Sequence, residues 1–342
     1  ECFSSPDALN DNTCGGTRSE QDSGSNSAIG TLFDWNEVFL GPVKTYNRAY
    51  IGQSPQATEL WNSMIHPLLN MRFKSTLWYQ GEANVDNPIG YSCRFPAMIA
   101  DWRRKFELSD MGFYYVSLAA FEQDNFAEQR AAQDAALILP NVGVASAIDL
   151  GDLSSPINPI HSRRKQEVGR RLALNVLHNE YGLIDVVYKG PTIASVQLEE
   201  DGARISFDPS TANGIHFKGT ASCIECCFES PFQILDASSG NWTRAYSTLE
   251  DDRVHVFFDG SSDDILGIRF DWEGFPQCAL YNGVGGPDDH RGVAAMPFEW
   301  CANPTGEASW TGNACGKKSS SKAEQSGVVV KGGSSSIFKK FF

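Results

Sequence analysis

The chain has 342 residues, 41% hydrophobic and 20% charged, and a formal net charge of −14 at pH 7. That composition supplies a core large enough for two domains. The acidic balance excludes nucleic acid as a partner, because phosphate binding needs a basic face. No apolar run approaches the roughly eighteen residues of a membrane-spanning helix.

Nine cysteines are present. Zinc sites use paired C-x₂-C units. Only Cys223 and Cys226 have that spacing, and Cys227 crowds them. Disulfides in an oxidising compartment fit better, with one thiol left over or paired outside the chain. The Asn241-Trp242-Thr243 sequon agrees with a secreted or lysosomal glycoprotein. A start at Glu1 reads as a processed form or a fragment.

Residues 1–34 are rich in Ser, Gly, Asn and Asp and read as loop. "IGQSP" (51–55) places Ser54 behind a Gly-Gln pair, as an esterase nucleophile can be. Proline follows, however, and then Leu60, Trp61, Met64, Ile65, Leu68 and Leu69 recur at helical steps. Ser54 is therefore expected to cap that helix. A nucleophile needs a sharp turn after a buried strand, and "KTYNRAY" before Ser54 is polar. His66 is expected to pack inside the helix.

"STLWYQ" (75–80) reads as a short buried strand. "YSCRFPAMIADWRRKF" (91–106) reads as an amphipathic helix with Pro96 in its first turn. A strand (111–119), a helix (125–137), a strand (141–149) and a long helix (162–182) follow. Their alternation predicts a parallel sheet covered on both faces. From about residue 185, short strands separated by Gly, Asp and Ser predict an antiparallel β region. The organisation expected is therefore 1–184 for an α/β domain and 185–301 for a β-rich domain. Residues 302–342 form a Ser/Gly/Lys-rich tail that reads as disordered.

Ligands of open α/β sheets gather at the carboxyl ends of the strands. Two loops there carry concentrated polar groups: "QGEAN" (80–84) and "DLGDLSSPINPIH" (149–161). His161, at the start of a helix, suits general acid–base work if a carboxylate or carbonyl fixes its tautomer. A helix-start histidine making one structural hydrogen bond is the other reading of the same position. Gln80 carries an amide N–H₂ group suited to a developing oxyanion. Glu82, beside Gly81 and Asn84, reads as a brace for the loop.

"WYQGEANV" (78–85) and "IHSRRKQEVGRRLAL" (160–174) resemble blocks of the sialate O-acetylesterases, within the SGNH-hydrolase superfamily. "LWNSMIHPLLNM", "FPAMIADWR", "AIDLGD", "LGIRFDW", "CALYN" and "MPFEW" agree in order, across roughly residues 1–300. The resemblance implies a flavodoxin-like, three-layer α/β/α sandwich followed by a β-rich region. It implies an acetylated sugar substrate, with O-acetyl groups removed from sialic acids. No metal or cofactor is implied, and the oligomeric state is left open.

Residue by residue, Gln80 matches the oxyanion amide and His161 the general base. Gly81, Glu82 and Asn84 match the rest of the first block. The family's "GQSNM"-type serine block is absent, as is its glycine-bearing second block. The superfamily's usual acid, three residues before the histidine, is Asn158 here. Asp152, Asp149 or a backbone carbonyl are the candidates to orient His161, with Asp152 preferred. The expectation is an N-terminally incomplete serine esterase, inactive as this stretch alone. The alternatives are a catalytically dead glycan-binding relative and an acetylxylan-type esterase.

Overall fold

The computed structural model describes residues 3–5, 58–122, 126–220, 230–283, 292–305 and 314–315. They fall into two compact units, one within 1–72 and 93–109, the other within 73–92 and 110–342. Ser54 and most of the 302–342 stretch lie outside the described residues.

In the first unit, the expected helix around Trp61 is irregular. A π-helical stretch, Trp61–Ile65, runs into a 3₁₀ turn, His66–Leu68. Pro67 has no N–H and cannot continue an α-helical ladder. Only Trp61 of this segment is buried; His66, expected inside, is exposed. Trp61 packs 6.3 Å from Trp102, and Trp102 packs 6.4 Å from Phe106. The Trp102 indole donates to the Phe3 carbonyl at 3.1 Å.

Helix α1 spans Pro88–Lys105. Asn87 caps it, its Oδ1 accepting from Gly90 N at 2.8 Å, and proline fills the first helical position. The helix thus begins earlier than its apolar periodicity suggested, and Pro96 sits in its interior. Tyr91, Phe95, Met98, Ile99 and Trp102 form its buried stripe.

The second unit opens with a parallel sheet, β1 (Ser75–Trp78), β2 (Gly112–Ser117) and β3 (Val142–Ser146), in the order β1-β2-β3. Central β2 is buried at all six residues, as a strand covered on both faces must be. Helices α2 (Phe126–Gln133) and α3 (Lys165–Asn179) follow the second and third strands in the chain. Val168 and Leu172 of α3 share a core cluster with Tyr114, Val116 and Ala145 of the sheet.

The β-rich region holds two four-stranded antiparallel sheets. The first has the order β4 (Ile193–Glu199), β5 (Gly202–Phe207), β10 (Arg253–Phe257), β9 (Ser247–Glu250). The second has the order β13 (Phe298–Cys301), β11 (Ile265–Phe270), β7 (Phe232–Asp236), β8 (Trp242–Arg244). Strands β6 (His216–Gly219) and β12 (Cys278–Tyr281) form a separate pair. Ile205, Val254 and Val256 of the first sheet share one core with Phe232, Ile234, Ile268 and Phe270 of the second. Each such buried side chain contributes about 1.5–3 kcal/mol relative to exposure.

Two buried arginines tie the α/β part to the β-rich part. Arg171 of α3 makes a bidentate pair with Asp149, at 2.6 and 2.7 Å, and Tyr281 of β12 donates to the same carboxylate. Arg130 of α2 donates to the Leu118 and Ala119 carbonyls beyond β2 and to the Glu273 and Gly274 carbonyls beyond β11. Cys301 and Cys315 form a disulfide, and Cys93 and Cys278 each take part in a disulfide as well.

Candidate active site

Strand β1 ends at Trp78, and Gln80 lies two residues beyond its carboxyl end. Gly81 turns the chain with φ 148°, a conformation open to glycine. An added Cβ would press on Gln133 Nε2 at 3.3 Å and on Leu118 at 3.4 Å. A 3₁₀ turn, Glu82–Asn84, then leads towards α1.

The Gln80 carboxamide is oriented from both ends. Tyr91 Oη donates to Gln80 Oε1 at 3.3 Å and also to Gln80 O at 3.3 Å. Gln80 Nε2 donates one hydrogen to Asn84 Oδ1 at 2.7 Å. An amide nitrogen carries two hydrogens, so one donor of Gln80 is left for a ligand. Gln133, fully buried on α2, fastens the backbone beneath. Its Nε2 donates to Gln80 O at 3.2 Å and to Val116 O at 3.1 Å, and its Oε1 accepts from Leu118 N at 3.2 Å.

His161 lies in the loop between β3 and α3 and is half-buried. That loop is held by its own polar groups. His161 N donates to Asn158 O at 2.8 Å, and Asn158 Oδ1 accepts from Ile160 N at 2.9 Å. Ser155 Oγ donates to His161 O at 2.8 Å, and Ser162 Oγ to Leu150 O at 2.6 Å. Burial pushes the His161 imidazole below its ordinary value, and the nearby Lys165 charge pushes the same way. Both effects favour the neutral ring, the form a general base needs.

Asp152 lies in the same loop. Both its oxygens accept from Arg163, at 2.6, 2.8 and 3.1 Å, and Oδ1 also accepts from Ser154 at 3.2 Å. The Arg163 hydrogen bonds hold its carboxyl well below the usual carboxylate range. Asp149, the other acid of the loop, is buried against Arg171.

The structure brings the two loops side by side. Tyr79, next to Gln80, and Ile160, next to His161, pack on the same apolar cluster of Val85, Leu118 and Phe126. Lys165, four residues beyond His161 at the start of α3, sets its ammonium 4.2 Å from the centre of the Tyr79 ring. Burial pushes the Glu82 carboxyl up, while Lys165 pulls it down. Tyr91, Gln133 and Lys165 were not singled out from sequence. Lys165 stands four residues after His161, at the first position of α3, and Gln133 three residues after Arg130 on α2; that closeness in sequence was the available signal.

The chain is similar to known carbohydrate esterases. Residues 44–178 match the family model described as carbohydrate esterase, sialic acid-specific acetylesterase. The chain is 32% identical over 247 residues to a sialate O-acetylesterase of Homo sapiens, covering 65% of this chain and 46% of that protein. The corresponding protein of Pongo abelii is 31% identical over 247 residues, with the same coverage. A crystal structure of a carbohydrate acetylesterase from Xanthomonas citri is similar at a TM-score of 0.59 and 30% identity, covering 72% of this chain and 54% of that one. The chain therefore spans about half the length of these relatives.

Proposed function

From the match of residues 44–178 to the sialic acid-specific acetylesterase model and the 32% identity to a human sialate O-acetylesterase, we propose that the chain belongs to this family of carbohydrate esterases and supplies the base and the oxyanion donor of a serine esterase acting on O-acetylated sialic acids. The observation that carries this reading is the adjacency of the Gln80 and His161 loops on one cluster, with the Gln80 carboxamide held by Tyr91 and Asn84. The parallel sheet is read as part of an SGNH-type, flavodoxin-like three-layer sandwich. The disulfides and the exposed Asn241 sequon support a secreted or lysosomal glycoprotein. No helix among the described residues is long and apolar enough to cross a membrane.

In the proposed reaction, a serine hydroxyl attacks the acetyl carbonyl carbon and His161 takes its proton. The tetrahedral oxyanion accepts a hydrogen bond from Gln80 Nε2. Collapse expels the sugar alkoxide, which takes the proton from His161. Water then attacks the acyl-enzyme with His161 again as base. The attacking serine belongs to a Gly-Gln-Ser-Asn-type block that these 342 residues do not contain, so this stretch alone lacks esterase activity. Gly81, Glu82 and Asn84 brace the oxyanion loop. Asp152 is a positioning residue, holding the His161 loop through Arg163.

Acetate release from O-acetylated sialic acid by the full-length protein tests the reading. His161→Ala is expected to abolish it, and retained activity sinks the assignment. Asp152→Asn separates two roles: a carboxylate that orients the histidine directly costs on the order of 10⁴ in kcat. A brace acting through Arg163 costs far less, which is the expected result. Faster turnover of acetylxylan than of acetylated sialic acid would move the substrate class. A fluorophosphonate that labels this stretch at Ser54 would overturn its inactivity.

A further inference from the structure

We propose that Glu199, Asp201 and His255 form a divalent-cation site in the β-rich region, independent of the esterase reading. Glu199 ends β4, Asp201 sits in the turn before β5, and His255 lies in β10, which pairs with β5. The Phe258 N–H donates to Asp201 O at 2.9 Å and so holds that turn beside the end of β10. One ligand atom from each of the three side chains lies within 4.8 Å of the others.

The imidazole is the independent sign of a ligand. His255 is 4% exposed, with its ring 4.2 Å from that of Phe257. Its buried Nε2 lies 3.2 Å from Asp201 Oδ1 yet makes no hydrogen bond. A buried nitrogen that stands beside a carboxylate without an aligned hydrogen bond is poorly satisfied. A metal ion shared with the two carboxylates would satisfy it.

Charge points the same way. Glu199 and Glu250 both pair with the Arg204 guanidinium, and Asp201 adds a third carboxylate beside Glu199. A divalent cation would neutralise the two negative charges that remain. Arg204 donates to both Glu199 oxygens, at 2.9 and 3.1 Å, and to Glu250 at 2.7 Å. Those bonds fix the direction of the Glu199 carboxylate and leave it further lone pairs. Asp201 is exposed and gives the ion a way in. One imidazole nitrogen with two carboxylate oxygens suits Zn²⁺ or its Co²⁺ surrogate, with water completing the shell. The bound ion would clip the β4–β5 turn to β10.

The test is Zn²⁺ titration by calorimetry of chelator-treated, full-length protein with free thiols alkylated, together with the visible absorption of the Co²⁺ form. The expected result is uptake of one ion that raises the Tm. Asp201→Asn and His255→Asn should each weaken it at least about tenfold and abolish the Co²⁺ band. Asp201 is on the surface, so its substitution leaves the fold intact and decides the matter if His255→Asn unfolds. Absence of uptake by the unaltered protein, or uptake unchanged in Asp201→Asn, overturns the site.

Discussion

Tyr91 donates its phenolic hydrogen to Gln80 at two acceptors, the backbone oxygen and Oε1, each at 3.3 Å. The proposed oxyanion donor is thus aimed by a side chain on α1, one turn past the Asn87 cap. Tyr91→Phe removes the aim and keeps the packing. It is expected to lower kcat on an acetylated sugar by about tenfold with KM nearly unchanged, whereas Gln80→Ala should cost about 10²–10³ in kcat. A Tyr91→Phe enzyme with full kcat would show that the amide needs no aiming.

In the proposed reaction, the depressed His161 imidazole sets the acid limb of the pH profile. Catalysis needs the neutral ring, and a lowered pKa keeps the ring neutral to more acidic pH. The limb of kcat/KM should therefore lie below about 6.5, the ordinary histidine value. Lys165→Met removes the second of the two causes and should move the limb upwards. A limb that stays put in this variant means the Lys165 charge does not reach His161.

Asp134 gives a pH dependence of stability from the same cause acting in the opposite direction. Burial pushes its carboxyl up to about 7 even though Tyr115 Oη of β2 donates to it at 2.6 Å. The folded state holds this proton more tightly than the unfolded chain does. The stability it contributes is complete below about pH 4 and is lost as pH rises through about 7. Asp134→Asn should flatten that loss, so that its urea midpoint exceeds the wild type at pH 8 more than at pH 5. Equal midpoint differences at the two pH values would refute a buried neutral acid.

Asp149 and Arg171 are 3% and 2% exposed. Burial pushes the Asp149 carboxyl up, but the Arg171 charge and hydrogen bonds more than offset it, leaving it below its ordinary value. Asp149→Ala strands the guanidinium and should cost about 3–5 kcal/mol in urea unfolding. A cost below about 1 kcal/mol would mean that Arg171 finds other acceptors.

The sheet was legible because strand and helix periodicity alternate cleanly from Ser75 to Asn179, and β2 and β3 are apolar on both faces. The stretch before Ser75 was not, because the apolar spacing of Leu60 to Leu69 promises an α-helix that Pro67 cannot continue. In the site, Gln80 and His161 stood out by residue type at strand ends. Gln133 did not, since a glutamine inside "AEQRAAQ" looks like solvent-facing helix until the carbonyls of Gln80 and Val116 are found at its amide. Lys165 was hidden in the run Arg163-Arg164-Lys165, where nothing in the residue types tells which cation meets the Tyr79 ring.

Burial pushes the Arg130 guanidinium down to about 10, yet it still spans four carbonyls, two following β2 and two following β11. Truncation after residue 184 would therefore not liberate a tidy catalytic module. It would leave an ion stranded without half its acceptors, and the shortened polypeptide should come out of cells as inclusion bodies.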